Sequence, residues 1–267
     1  MRLCFAGGGK MAEALIGGLI ATGWANADEL GVIEISPERR EALASEHAGL
    51  RLAESCADAN DQPGFAVADL LVAVKPQHVT DVAADLVGVE RVLSIAAGVR
   101  IDAMLAGFGA DTRVVRAMPN TPALVGKGAA AIAASANAGD GDLAWAESIL
   151  SAVGTVARVD ESDLDAVTGL SGSGPAYLFL LAEAMTAAGI EQGLTPDVAD
   201  ALARQTLLGA GALLAESGEA PAQLRANVTS PGGTTAAAIA EMQAQGLEGI
   251  VGAGIAAATA RSRELGG

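Results

Sequence analysis

Two hydrophobic rhythms divide this chain. Up to about residue 160, short continuous apolar runs alternate with segments of helical spacing; beyond it the runs disappear. Leu3-Cys4-Phe5-Ala6 is the first run. Met11, Leu15 and Leu19, with Ala12, Ile16 and Ile20, then recur every four residues and mark the apolar face of a helix. Gly23 stands where that helix should stop. Val32–Ile35 reads as a second strand, and Ser36-Pro37-Glu38 as a helix start with Ser36 as N-cap and Pro37 at the first position. Runs at Asp69–Val74, Arg91–Ile95 and Arg113–Met118, separated by helical segments, predict parallel strands covered on both faces. A strand near Ala129–Ala134, a helix over Asp142–Val153 and a strand over Thr155–Val159 complete a first domain, residues 1–160, with the seam at Val159-Asp160-Glu161-Ser162. Residues 161–267 predict helices alone, opened by Pro175 (to about Gly193), Thr195-Pro196 (to about Ser217) and Pro221 (to Asn227), then helical to the end apart from Gly246.

Between the first run and its helix lies Gly7-Gly8-Gly9-Lys10-Met11-Ala12, a G-x-G-x-x-A turn. Gly7 permits the tight turn, Gly9 lets backbone approach a pyrophosphate, and Ala12 allows close helix–strand packing. Free N–H groups and the partial positive charge of the helix N-terminus favour the anion. With a strand before it and a helix after it, the turn reads as a dinucleotide site, and the first domain as a doubly wound, mainly parallel α/β sheet of Rossmann type.

In such sheets ligands lie beyond the carboxyl ends of the strands. Three of these ends carry unusual residues: Lys75-Pro76-Gln77, Ala96-Ala97-Gly98 and Pro119-Asn120-Thr121-Pro122. Asn120 is the candidate contact for a nicotinamide amide or the substrate; the alternative is an Asn that shapes its Pro-x-x-Pro turn. At the second strand's end, Glu34 could accept from a ribose 2′-hydroxyl, which favours NAD. Ser36, Arg39 and Arg40 could instead hold a 2′-phosphate, which favours NADP, or the arginines could form a solvated helix face. The residues alone lean towards NADP.

The formal charge of −16 argues against a nucleic-acid surface or an anionic membrane. It does not exclude an anionic cofactor, because a local nest of N–H groups outweighs a distant net charge. Two cysteines, Cys4 and Cys56, give no disulfide framework and fit a reduced compartment. The first strand leaves no room for a signal peptide, and the uncharged run Ala166–Ala182 falls short of a membrane span, so a soluble, cytoplasmic protein is expected.

The second half contains no His, Lys or Cys: the histidines are His47 and His78, and the lysines Lys10, Lys75 and Lys127. An alcohol dehydrogenase positions a base for the hydroxyl proton, and no His or Lys base can come from this half. A His/Cys metal site is equally unsupported. A C=N acceptor that carries its own positive charge fits this absence, since it needs only positioning. A 3-hydroxyacid-type dehydrogenase would need a lysine here; a non-catalytic dinucleotide sensor would leave the polar loops of this half unexplained. Those loops are Leu170-Ser171-Gly172-Ser173-Gly174-Pro175 and Val228-Thr229-Ser230-Pro231-Gly232-Gly233-Thr234-Thr235. The second sets hydroxyls and glycine N–H groups near a helix N-terminus, either a site for a small carboxylate or a connecting loop with capping threonines. Faces such as Leu208-Gly209-Ala210-Gly211-Ala212 predict an oligomer built through this half; the alternative is an ordinary helical bundle.

Across essentially the whole chain these motifs resemble the pyrroline-5-carboxylate reductase family. The matching stretches are Gly7–Ala12, Ala73–Gln77, Ser94–Gly98, Arg116–Pro122, Ser171–Tyr177 and Thr229–Thr235. The resemblance implies reduction of 1-pyrroline-5-carboxylate to L-proline, with NADPH usually preferred over NADH. It also implies a Rossmann domain, a helical dimerisation domain forming a homodimer, and commonly a decamer of five dimers. Carried onto this sequence, it places the dinucleotide on Ala6, Gly7, Gly8, Gly9, Lys10 and Met11 and on Ala73, Val74, Lys75 and Pro76, with Ala96 and Ala97 beside it and Asn120 near the nicotinamide. Ser230, Gly232, Gly233, Thr234 and Thr235 take the substrate carboxylate, with the Thr235 hydroxyl near the ring nitrogen and Ser230 beside it in the catalytic set. Lys10 departs from the Asn or Gln usual in the family's loop, and Glu34–Ser36 lies in its variable region.

Overall fold

The computed structural model describes residues 1–266, and every element below lies among them. β1 (Leu3–Ala6) leads into α1 (Lys10–Ala21), β2 (Leu30–Ile33) into α2 (Pro37–Glu46), and β3 (Arg51–Ala53) into α3 (Cys56–Asp61). There follow β4 (Asp69–Val72), α4 (Val79–Asp85), β5 (Arg91–Ser94), α5 (Ile101–Phe108) and β6 (Arg113–Met118). β7 (Gly128–Ala134), α6 (Asp140–Leu150) and β8 (Gly154–Arg158) close the sheet, whose strand order is β3-β2-β1-β4-β5-β6-β7-β8. The first six strands are parallel, β7 runs antiparallel to β6, and β8 runs parallel to β7. The doubly wound, mainly parallel sheet expected from the apolar runs is therefore present. Its order reverses between β1 and β4, where such sheets open a crevice.

Successive side chains of a strand point to opposite faces, and β1 shows what that accomplishes. Leu3 and Phe5 join one core with Leu15, Ile16 and Leu19 of α1, Leu43 of α2 and Ile149 of α6. Cys4 and Ala6 join the other with Ala59 of α3, Val82 of α4 and Met104 of α5. Burial pushes the Cys4 thiol far above the usual cysteine range, which leaves it an inert core group. At the opposite edge of the sheet from the crevice, Arg91 donates to both carboxylate oxygens of Asp69 (2.9 and 2.7 Å) and stacks 4.0 Å above the Trp145 ring. Arg91 and Arg113 both reach Asp142 Oδ1, at 3.4 and 3.3 Å, so this buried carboxylate is paired twice.

Several boundaries differ from the pattern. The strand expected over Val32–Ile35 is Leu30–Ile33; the Glu34 N–H still donates to the Ala53 carbonyl at 3.0 Å, and the chain then turns through Ser36 into α2. Of the run Asp69–Val74 the strand takes Asp69–Val72, and the helix expected over Asp142–Val153 spans Asp140–Leu150. β3, with three residues, was too short to register as a hydrophobic period.

Beyond the sheet come α7 (Leu164–Val167), a π-type turn over Thr168–Gly172, and helices α8 (Gly174–Glu191), α9 (Pro196–Glu216), α10 (Pro221–Asn227), α11 (Thr234–Ala244) and α12 (Leu247–Leu265). Contacts divide the chain into two compact units: Met1–Gly172 together with the chain from Ala258, and Ser173–Ala257. In the first, Arg116 meets Glu161 at 3.0 Å, the Ile101 N–H donates to the same Glu161 oxygen, and Ser262 donates to Asp165 at 2.7 Å. In the second, α8 and α9 pack closely where Gly189 faces Ala199, after a turn at Gly193. No helix among the described residues is long and apolar enough to cross a membrane.

Leu15 is fully buried beneath the crevice strands, so Leu15→Ala should lower stability by about 2–5 kcal/mol through the cavity it leaves. Both tryptophans, Trp24 and Trp145, lie in the first unit, so urea unfolding followed by their fluorescence reads that unit directly. A loss below about 1 kcal/mol would contradict the packing described.

Candidate functional site

At the end of β1 the chain turns through Gly7 with φ +97°, a conformation that favours glycine. A Cβ there would lie 3.0 Å from the Ala73 carbonyl and 3.1 Å from Val74 Cγ1. Ala73 in turn donates its N–H to the Ala6 carbonyl at 2.8 Å. The exits of β1 and β4 thus cross in contact at Gly7 and Ala73, 66 positions apart in the chain, and the stretches Ala6–Met11 and Ala73–Pro76 become one wall. The Ile95 N–H donates to the Val72 carbonyl at 3.0 Å and the Ala96 N–H to Ser94 Oγ at 3.2 Å, which sets Ala96 and Ala97 next along the same edge. Lys75 and Pro76 are exposed at the start of a short 3₁₀ turn, Pro76–His78.

Over Gly9 a Cβ would meet nothing within 4 Å, and no side chain caps α1. The first N–H groups of a helix have no partner within it. Open space above an uncapped 12-residue helix is what a pyrophosphate needs, so these residues fit the dinucleotide.

Around this cradle lies a charge network that the sequence did not reveal. Glu34 Oε2 accepts from the Gly8 N–H and its Oε1 from the Ser36 N–H, both at 2.8 Å. Arg39 donates to the Gly8 carbonyl from Nε and Nη2 (3.1 and 2.6 Å) and to Glu13 at 2.7 Å. That bond to Arg39 holds the Glu13 carboxyl below the usual glutamate range. Lys10 pairs with Glu13 at 3.2 Å. Ser36 caps α2 by accepting from the Arg39 N–H at 3.2 Å. Lys10, Ser36 and Arg39 are therefore all bound within the protein, and Arg39 braces the glycine turn. The only early signal for Glu13 was its place in the first turn of the helix; for Arg39, its place in the first turn of the next.

Asn120 is buried, and both ends of its amide are occupied: Oδ1 accepts from the Ala129 N–H at 2.9 Å and Nδ2 donates to the Ser171 carbonyl at 3.1 Å. It fastens the Ser171–Gly172 turn to the sheet through backbone. A nicotinamide beside it would meet the segment it positions.

The remaining candidates, Ser230, Gly232, Gly233, Thr234 and Thr235, belong to the helical unit and are built within it. Thr229 Oγ1 donates to the Arg225 carbonyl at 2.6 Å, closing α10. The Gly233 N–H then donates to the Ser230 carbonyl at 3.0 Å around Pro231 and Gly232, and Gly232 has φ +72°. Pro followed by a positive-φ glycine is the type II turn pattern. The turn delivers the chain into α11, whose N-cap Gly233 has no side-chain partner. Ser230 and Thr234 are exposed and Thr235 half-buried, so hydroxyls and helix N–H groups gather at one terminus. The arrangement can hold a small carboxylate.

A family model for pyrroline-5-carboxylate reductase dimerisation matches residues 161–265, and one for coenzyme F420-dependent NADP oxidoreductases matches residues 2–98. A pyrroline-5-carboxylate reductase from Synechocystis is 42% identical over 100% of this chain and 98% of its own length. The solved structure of a pyrroline-5-carboxylate reductase from Coxiella burnetii superposes with a TM-score of 0.91 at 34% identity, covering 100% of this chain and 98% of that one. The Plasmodium falciparum pyrroline carboxylate reductase with NADP bound gives a TM-score of 0.82 at 26% identity over 100% and 98%. A glycine turn fitted to a dinucleotide, a helix terminus fitted to a carboxylate and likeness along the whole chain lead to one assignment: this chain belongs to the pyrroline-5-carboxylate reductase family.

Proposed function

We propose that this protein reduces 1-pyrroline-5-carboxylate to L-proline, the final step of proline biosynthesis, with NADP as its cofactor. The observation that carries the reading is 42% identity across the entire chain to a reductase of that name. The geometry adds an open, uncapped phosphate cradle at the point where the sheet reverses.

The reduced nicotinamide supplies the hydride. The chain's own residues align two anions. Gly7, Gly8, Gly9, Lys10 and Met11 hold the pyrophosphate, with Ala73–Pro76 and Ala96–Ala97 as the adjoining wall; Asn120 positions the Ser171 turn. Ser230, Gly232, Gly233, Thr234 and Thr235 take the substrate carboxylate, and the Thr235 hydroxyl orients the ring nitrogen. The acceptor is a C=N carbon made electrophilic by the protonated ring nitrogen, and the segment contributing the carboxylate site carries no His, Lys or Cys. Alignment alone therefore serves the transfer, as oriented binding converts a bimolecular step into an effectively unimolecular one.

Function divides at residue 160 in this reading, with residues 1–160 for the dinucleotide and 161–267 for substrate and dimerisation. The helical unit carries its own argument for a partner: Leu178, Phe179, Leu180, Leu202, Leu208 and Ile250 are all more than half exposed. Large apolar side chains exposed in such number on the helices of one unit favour an interface. We take the assembly to be a homodimer through these helices, with five dimers forming a decamer, working in the cytoplasm, where two free thiols are at home.

Absorbance loss at the nicotinamide band with NADPH and 1-pyrroline-5-carboxylate checks the activity; no loss would overturn it. Thr235→Ala should cut kcat/KM about ten- to hundredfold, the scale of one hydrogen bond to a charged group. An unchanged value would remove Thr235 from the site. Sedimentation should give two or ten times the 26.4 kDa chain mass, and a single-chain mass would remove the dimer.

A further inference from the structure

The cradle fits a pyrophosphate, but the corner beside it does not fit a 2′-phosphate. That corner is the C-terminal end of β2, where sheets of this type meet the adenosine ribose. A 2′-phosphate needs unpaired cations or free helix N–H groups. Here Arg39 is committed to the Gly8 carbonyl and to Glu13, and Arg40 to the Glu34 and Ile35 carbonyls (2.7 and 3.0 Å) and to Glu54 at 3.5 Å. The α2 N-terminus is answered from within: Glu34 takes the Ser36 N–H, Ser36 Oγ takes the Arg39 N–H and itself donates to Glu38 at 2.8 Å, and Pro37 has no N–H. Four carboxylates, Glu13, Glu34, Glu38 and Glu54, surround three cations, Lys10, Arg39 and Arg40.

Glu34 stands apart from the other three acids because its carboxylate bonds the cradle itself, at Gly8. An ionised carboxylate offers about four acceptor positions, and two here are taken by N–H groups. The remaining two suit the hydroxyl of an unmodified ribose. Ile35, 81% exposed, lies next to it as an apolar surface for the adenine.

Resting on the dinucleotide reading above, we propose that Glu34 sets the choice between NADPH and NADH: it accepts the ribose 2′-hydroxyl of NADH and opposes the 2′-phosphate of NADPH. NADP remains a cofactor of the protein, bound through its pyrophosphate. Glu34 holds its advantage down.

The test is direct binding, followed by nucleotide fluorescence for NADH and NADPH separately, on the full-length protein and on Glu34→Gln and Glu34→Asp. Glu34→Gln removes the charge while keeping one acceptor for the Gly8 or Ser36 N–H. It should tighten NADPH, weaken NADH and move the ratio of their Kd values about tenfold or more towards NADPH, the scale of a like-charge contact near a surface. Glu34→Asp keeps the charge, so its ratio should stay within about threefold of the unaltered protein even if both affinities fall. A ratio moved less than about threefold in Glu34→Gln, with both affinities falling together, would show that Glu34 only shapes the loop and overturns the proposal. If the unaltered protein binds neither nucleotide, the dinucleotide reading fails and this inference with it, a result separable from the first because no ratio then exists.

Discussion

The close crossing of two strand exits, at Gly7 and Ala73, is the constraint on which the rest depends. Parallel strands β1 and β4 lie side by side with their helices on opposite faces, so their chains must diverge within a residue or two of the sheet's edge. Only a residue without a Cβ and at φ +97° lets them do so in contact. The consequence is chemical as well as spatial. Because the turn is tight, α1 begins at Lys10 with no side chain available to cap it, and its N–H groups stay open to an anion. The packing that buries Leu15 and Ile16 then fixes that open terminus in place.

An acidic protein that binds two anionic ligands has to solve a local problem against a net charge of −16. In the sites proposed above, backbone rather than free cations answers it. Every arginine around the cradle is spent on a carbonyl or a carboxylate, and both proposed anion positions are helix N-termini preceded by glycine, at Gly9 and Gly233. Fixed N–H groups point at a ligand without rotamer entropy to lose, which suits a reaction whose demand is alignment. The corner at β2 follows the same economy in reverse: there the protein's own carboxylates fill the helix terminus.

The parts of this architecture written in consecutive residues could be read from the chain directly. The run Leu3–Ala6, the glycine turn and the helix after it form a local pattern, and α10 from Pro221 to Asn227 and the turn at Pro231-Gly232 are equally local. What escaped reading joins distant residues: Glu34 with Gly8, Arg39 with Gly8 and Asn120 with Ser171 are separated by 26, 31 and 51 positions. Their pairing is set by strand order, which a single sequence's periodicity does not encode. Asn120 illustrates the point. Its position at a strand end suggested ligand contact, whereas its amide is committed to Ala129 and Ser171. Ser36 and Arg39 drew attention as a donor and a cation near a ribose; in the structure Ser36 bonds the Arg39 N–H and Glu38, and Arg39 bonds the Gly8 carbonyl and Glu13.

The account is tested most directly by measuring NADPH affinity and thermal stability together in Gly7→Ala. A Cβ at that position meets the Ala73 carbonyl at 3.0 Å, so the turn must open and displace the α1 terminus. The expected result is NADPH binding weakened by about tenfold or more while the protein remains folded, with a modestly lowered Tm, since alanine at positive φ costs on the order of 1 kcal/mol. Gly7→Ala binding NADPH as tightly as the unaltered protein would contradict the claim that this crossing builds the site.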